Sequence, residues 1–358
     1  MSLIFSSRSR LSGSPTSRSR LSGSRLSGTG RTRAALAAMA ALFLLVLTAC
    51  GSTSASTSGN STSGGGSGSG GSGHNSKHPG WPSTLTYGAV GAENSTSLTN
   101  SLKPLAEVVK KQLGVTLKVV TGTSYASMIE AQQAGKAQII GYGPFSYFIA
   151  KKEGLKIQDI GILITAPHTD GGYYSWAVVN PKKTPSITSI KDFKGKKVCF
   201  SDPSSTSGYL YPSYGLLGAG ISPTKGVTPV FAGTDTATAL QVAKGSCQVG
   251  FTNSQSLPAA EEAHQISPSA VKIVWKGPEI PGNPTAISDS VPASLRTALE
   301  NLLIKDGNSK YFAAHGYCPS VAKCNELTGG WGYANPKVAD FSKIANVCKI
   351  TKSPQCKA

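Results

Sequence analysis

The sequence predicts an α/β protein made of two lobes joined by two chain crossings. From about residue 85 onward, short apolar strand-like runs alternate with stretches of helical spacing. The connections between them are short, which suits strands linked by crossover helices. The alternation falls into two blocks, and a body of roughly 280 residues is long enough to divide into two lobes.

Leu85-Thr86-Tyr87-Gly88-Ala89-Val90 alternates as a strand, and Gly91 to Thr99 is loop and cap material. Leu98, Leu102, Leu105, Val108, Val109 and Leu113 follow helical spacing, closed by Gly114. Val115 to Val120 is the next strand, Tyr125 to Ala134 a helix ended by Gly135, and Ala137 to Tyr142 a third strand. The second block begins after Trp176 to Asn180. It continues through a strand at Lys196 to Phe200, a helix near Tyr209 to Gly218 and a strand at Val227 to Phe231. A helix over Thr236 to Lys244 and a strand over Cys247 to Phe251 complete it. Val271 to Trp275 is expected to lead back to the first lobe, where helices at Ala293 to Lys305 and Pro336 to Val347 finish the fold. The expected division is therefore 81–178 plus 275–358 for lobe 1 and 179–274 for lobe 2. Together they make a hinged clamshell of two sheets flanked by helices.

The N-terminal 49 residues read as an export signal. Seven arginines from Arg8 to Arg33 precede an uncharged apolar run from Ala34 to Thr48, and Leu47-Thr48-Ala49-Cys50 follows. This end resembles a bacterial lipobox, which implies cleavage before Cys50 and lipidation of its thiol. A membrane anchor is the other reading, but the run is short of the roughly 20 residues that a span needs. A ten-residue repeat, Ser7 to Ser14 recurring as Ser17 to Ser24, is low-complexity sequence without an assigned role. Residues 50–80, rich in Ser, Thr and Gly, have little to bury and read as a flexible tether. Its r.m.s. reach would be roughly 30 Å.

Removing the leader lowers the formal charge from +18 to +11 and leaves Arg296 as the one arginine of residues 50–358. Nucleic-acid binders cluster arginine and lysine with aromatics or a known motif, and neither occurs here. A basic exterior suits attraction of anionic solutes or envelope polymers. Besides Cys50 there are six cysteines, an even number that in an exported protein suggests three disulfides among 15 connectivities. The expected pairs are Cys199–Cys247, Cys318–Cys324 and Cys348–Cys356. There is no CxxC pair to suggest a structural zinc site.

The stretch Ser201-Asp202-Pro203-Ser204-Ser205-Thr206-Ser207-Gly208-Tyr209 joins a strand to a helix start. Helix N-termini leave N–H groups unpaired and carry partial positive charge, so three adjacent hydroxyls there suit a tetrahedral oxyanion. An ordinary N-cap is the alternative.

With these elements in place, the chain resembles the phosphate/phosphite/phosphonate class of ABC-transporter substrate-binding proteins, over roughly Leu85 to Asn283. The main carrier is DPSSTSGYLYPSYG, Asp202 to Gly215. Support comes from Ile139 to Pro144, from Ala239 to Ala243, and from Ile273 to Pro284. The resemblance implies a periplasmic-binding-protein-like clamshell of type II in which Ser205, Thr206 and Ser207 cup a phosphorus oxyanion. Tyr125 and Tyr173 match family tyrosines whose phenols donate to the ligand while the rings exclude water, although core or rim packing is equally open for them. Tyr142 is a weaker candidate. Gln255 stands where amine-binding members have glutamate, and Asn283 where they have aspartate. Asp235, or Thr234 with a one-residue shift, stands at the family histidine. These departures imply a small anion without an amine, and they leave Asp235 facing away from a dianion or sharing a proton with it.

An enzyme is the first rival. The five histidines are scattered, Gly-x-Ser-x-Gly is absent, and no His/Asp/Glu cluster has metal-ligand spacing. A sensor-input or surface lipoprotein on the same clamshell is the second rival, a metal-binding solute receptor the third, and the enzyme reading, a secreted hydrolase, is the less favoured. The expectation is a monomeric, lipid-anchored receptor on the extracytoplasmic face of the cell membrane. It would need no cofactor and would deliver its ligand to a permease served by a separate ATPase subunit.

Overall fold

The computed structural model describes residues 75–91 and 95–357. The arginine-rich leader, the apolar run, Cys50 and the Ser/Gly segment up to residue 74 lie outside the described residues. Among those described, no helix is long and apolar enough to cross a membrane.

The first lobe begins β1 (Thr84–Val90), α1 (Ser95–Leu113), β2 (Thr116–Gly122), α2 (Tyr125–Gln133), β3 (Ile139–Gly141), α3 (Pro144–Lys152), β4 (Ile157–Ile164). The chain then builds β5 (Tyr173–Val179), β6 (Lys197–Phe200), α4 (Tyr211–Gly218), β7 (Thr228–Phe231), α5 (Asp235–Lys244), β8 (Val249–Asn253), α6 (Ser256–Glu262) and β9 (Lys272–Ile280) in the second. It returns through β10 (Pro284–Ser288), α7 (Ala293–Asp306), α8 (Ser309–Ala314), α9 (Val321–Thr328), β11 (Gly332–Ala334) and α10 (Ser342–Thr351). One sheet has the order β11-β4-β10-β3-β1-β2 and the other β7-β6-β8-β5-β9. Both are mixed. β1 runs parallel to β2 and β3, whereas β10 is antiparallel to β3 and β4. In the second sheet β6 is parallel to β7 and β8, and β5 is antiparallel to β8 and β9. The mixed two-sheet α/β architecture is the one expected.

The lobe boundaries differ from expectation. β5 and β9 pair with each other inside the second sheet, so the crossings fall at 165–172 and 281–283, not near 178 and 275. A strand's own residues announce extended backbone but not which sheet it joins, because the ladder partner is remote in sequence. The folded body also starts earlier than residue 81. Asn75 is buried, donates from Nδ2 to Leu113 O at 2.8 Å, and accepts the amides of Lys77 and His78. The His78 ring stacks on Trp81 with centroids 4.0 Å apart. The residues expected to close the tether are therefore pinned to α1.

The cores follow the apolar stripes. Leu102, Leu105, Val108 and Val109 of α1 pack against Leu85 and Tyr87 of β1 and against Leu295, Leu299 and Leu302 of α7. In the second lobe Val198, Phe200, Val249 and Phe251 interlock with Phe193 and Leu216. All three disulfides join as expected: Cys199–Cys247, Cys318–Cys324 and Cys348–Cys356. The first spans 48 residues and ties β6 to the start of β8. By loop-closure entropy it stabilises by about 4 kcal/mol, the most of the three. It thereby fixes the strand whose C-terminal end opens the site.

Candidate functional site

Several strands end at one cleft. A cavity of about 160 Å³ lies there, lined by residues following β1 (Val90), β6 (Ser201, Ser205, Thr206, Ser207), β7 (Gly233, Thr234, Asp235, Thr236) and β8 (Asn253, Gln255, Ser256). Tyr125 at the start of α2 joins them, as do Tyr173 and Asn283 at the two crossings. Ligand sites in open α/β sheets collect outside the carboxyl ends of strands for this topological reason. The volume equals about five waters' share of liquid, which suits a compact tetrahedral ion. The lining contains twelve hydroxyl or amide side chains, one carboxyl group, and no lysine, arginine or histidine.

The β6 exit forms a tight π-helical turn, Thr206–Leu210, leading into α4. Such turns occur mostly where function requires them. Ser205 caps it by accepting Gly208 N–H at 3.0 Å, so the ordinary N-cap reading holds for this serine even though it also lines the cavity. Leu210 N–H bonds Ser205 O, which leaves the Thr206 and Ser207 amides ahead of the first helical hydrogen bond. Gly208 is required by space, because a Cβ there would overlap the Ser201 hydroxyl. Asp202 shapes the turn from below by accepting Ser204 N–H at 2.7 Å. Burial raises its pKa, opposed by the N–H groups of Ser204 and Tyr125.

Asp235 is the first residue of α5, which Thr234 caps by accepting Ala237 N–H. Its Oδ2 accepts from Asn253 Nδ2 at 3.1 Å and from Ser207 Oγ at 3.3 Å. Its Oδ1 is buried without a protein partner, as is Ser201 Oγ. Both residues line the cavity. Burial pushes Asp235 up to about 7, against the opposing hydrogen bonds from Asn253 and Ser207. The carboxyl group is thus poised to hold or release a proton near neutrality, with one oxygen paired and the other buried without a partner.

Tyr173 is buried, and it lines the cavity together with Thr206 and Ser207. Burial, followed by the neighbouring Tyr125 and Asp235, raises its pKa well above the ordinary tyrosine value. Tyr125 is also raised, first by burial and then by Asp235 and Asp202. Both phenols therefore keep their protons at neutral pH and can donate.

All eight residues singled out as ligand contacts converge on this cavity: Ser205, Thr206, Ser207, Tyr125, Tyr173, Asp235, Gln255 and Asn283. Tyr142 does not. It is buried in the first-lobe core and donates its hydroxyl to Gln132 Oε1 at 2.9 Å. Sequence reasoning missed Asn253, whose Nδ2 holds Asp235 while its Oδ1 accepts the amides of Gln255 and Ser256. It missed Ser201 and Thr236 as well. Their signal was position, since each lies at or just beyond a strand's C-terminal end.

Residues 87–319 match the family described as "ABC transporter, phosphonate, periplasmic substrate-binding protein". The Phosphate-import protein PhnD of Mycolicibacterium smegmatis is 33% identical over 286 residues, covering 78% of this chain and 89% of that one. The Phosphonates-binding periplasmic protein of Escherichia coli is 28% identical over 205 residues, covering 56% and 59% respectively. Among solved structures, PhnD1 of Prochlorococcus marinus in complex with methylphosphonate aligns with a TM-score of 0.63 at 19% identity. That alignment covers 76% of this chain and 99% of the other, a likeness of fold.

A carboxyl group whose folded pKa exceeds its unfolded value binds more protons folded than unfolded, so stability falls as pH rises from about 4 to about 7. Asp235→Asn removes this penalty. In the ligand-free protein the variant should match wild type near pH 4 and melt higher at pH 8, by about 2–4 °C for each kcal/mol recovered. Equal melting temperatures at pH 8 would contradict the buried, raised carboxyl group.

Proposed function

The chain belongs to the family of phosphonate-type periplasmic substrate-binding proteins of ABC transporters, and we propose that it captures a small phosphorus oxyanion carrying no amine: phosphate, phosphite or a simple alkylphosphonate. The family is a solute-binding transporter component and not an enzyme. The observation that carries the ligand assignment is the cleft lining, in which hydroxyl and amide donors surround a single carboxyl group with no cation. An oxyanion held by neutral donors keeps its charge and exchanges water for fixed dipoles. Ser205, Ser207, the first-turn amides and the two phenols supply those dipoles. Gln255 and Asn283 adapt as donor or acceptor.

Asp235 narrows the choice further. Its Oδ2 is fixed to Ser207 within the hydroxyl cup, so its free Oδ1 meets an oxygen of the oxyanion and not a distant substituent. Two facing anionic oxygens repel unless one proton lies between them, supplied by a P–OH group or by the carboxylic acid. Sulfate and sulfonates bring no such proton at neutral pH, so they can meet only the protonated carboxylic acid, whereas a P–OH ligand can also meet the carboxylate and is favoured as pH rises. An aminoalkyl ligand gains nothing at Gln255, where a carboxylate would pair with its ammonium at about 1.5–3 kcal/mol.

Capture then proceeds by lobe closure, with the closed form favoured by the ligand's differential affinity for it. We assign delivery to a membrane permease driven by a separate ATPase subunit, with the receptor acting as a monomer. Lipid attachment at Cys50 would hold the receptor at the extracytoplasmic face through the Ser/Gly segment. Cys50→Ala expressed in the native host should move the protein from the membrane fraction to the soluble fraction. Retention on the membrane would sink the anchor assignment.

Calorimetry tests the ligand. Phosphate, phosphite and methylphosphonate should each bind more tightly than sulfate or 2-aminoethylphosphonate. Above about pH 7, affinity should fall by about tenfold per pH unit, as expected when one proton is retained in the complex. Asp235→Asn should flatten that dependence and admit sulfate. Much tighter binding of 2-aminoethylphosphonate than of phosphate would overturn the assignment.

A further inference from the structure

Among the hydrogen bonds that join the two lobes, one is buried beside the cleft. Thr206, on the second lobe, accepts at Oγ1 from the N–H of Phe145 on the first lobe, at 2.9 Å. Phe145 is the second residue of α3, behind Pro144, so its amide is among those that no helical carbonyl can satisfy. The bond is buried, and Thr206 is 1% exposed. The Phe145 ring is fully buried in a cluster shared by the lobes, with Tyr142 and Tyr147 from the first and Leu210 and Tyr211 from the second. Packing therefore fixes where the amide points.

The approach is close because residue 143 is glycine. A Cβ there would lie 3.1 Å from Thr206 Oγ1, tighter than ordinary contact. Its backbone, at φ −80° and ψ 158°, is a conformation that any residue adopts. Space between the lobes is thus the requirement that glycine meets.

We propose that Thr206 and the Phe145 amide form a closure latch in which one hydroxyl senses the ligand and the opposite lobe together. A threonine hydroxyl has one proton to give and two lone pairs with which to accept. When Thr206 gives its proton to an oxyanion, its oxygen becomes a better acceptor for Phe145 N–H, since linked hydrogen bonds polarise one another. Ligand binding on one side of the oxygen thereby tightens the interlobe bond on the other. Thr206 is a positioning residue for closure in addition to lining the cavity. The ligand-sensing half rests on the oxyanion reading, whereas the seam itself does not.

Amide hydrogen exchange by NMR reads the latch directly. The Tyr147 amide, which bonds Gly143 O at 3.0 Å within the same helix, serves as the internal reference. Without ligand, Phe145 should exchange about tenfold faster in Thr206→Val and in Gly143→Ala than in wild type, the effect of losing roughly one buried hydrogen bond. Thr206→Ser, which keeps the oxygen, should retain protection, and Tyr147 should stay unchanged throughout. Saturating inorganic phosphate should slow Phe145 further in wild type and leave Gly143→Ala unaffected at that amide. Equal Phe145 exchange in wild type and both disruptive variants would overturn the seam. Phosphate that binds without slowing Phe145 would overturn the coupling. If phosphate does not bind at all, the oxyanion reading fails, and the ligand-free arms still decide the seam. Should Gly143→Ala also speed Tyr147, the comparison of Thr206→Ser with Thr206→Val decides alone.

Discussion

A buried carboxyl group in a cleft proposed to hold an anion requires a proton or a donor between it and the guest, and Asp235 sets that constraint for the proposed site. Removing an isolated carboxylate from water costs several kcal/mol, so the group either finds donors or stays protonated. In this protein it does half of each. Asn253 and Ser207 hold one oxygen, and burial raises the pKa toward neutrality while the other oxygen stays unpaired. The remaining features of the site fit this arrangement. Neutral hydroxyls and amides take the place of lysine and arginine, and the phenols are kept protonated by the same low-dielectric surroundings.

The fold places these groups by strand ends. β6, β7 and β8 run parallel, so the turns leaving them open on one side of the second sheet. The Ser205–Ser207 turn, Asp235 and Asn253 come from three successive exits, and the Cys199–Cys247 bridge ties the first of these strands to the last. From the first lobe, Tyr125 arrives at the N-terminus of α2, and the crossings deliver Tyr173 and Asn283. Elements that share no local sequence signal thus meet at one cavity because the sheet topology brings them there.

Much of this was legible in the residues. The alternating periods gave β1, α1, β2, α2 and the second block, and the hydroxyl run after β6 marked residues that line the cleft. What stayed hidden depended on long-range pairing. The segments that form β5 and β9 read as the passages between lobes, because nothing local told that they pair with each other inside the second sheet. Asn253 lay beyond the strand read over Cys247 to Phe251; its contacts appear only when β8 lies beside β6 and α5. Ser205 proved to be a helix cap, as the plainer of its two sequence readings had it, and it also lines the cleft. The resemblance singled out Asp235 without saying where it faces, and its orientation comes from Ser207 and Asn253, which no spacing rule connects to it.

The most direct test of the account is a crystal structure with phosphate bound. The account predicts phosphorus centred between the 205–207 turn and Asp235, with hydroxyls of Ser205 and Ser207 and the phenols of Tyr125 and Tyr173 on its oxygens. One of those oxygens should lie within hydrogen-bonding distance of Asp235 Oδ1, and no lysine or arginine should touch it. Phosphate seated on a lysine outside the cleft, with Asp235 Oδ1 still unpaired, would contradict it.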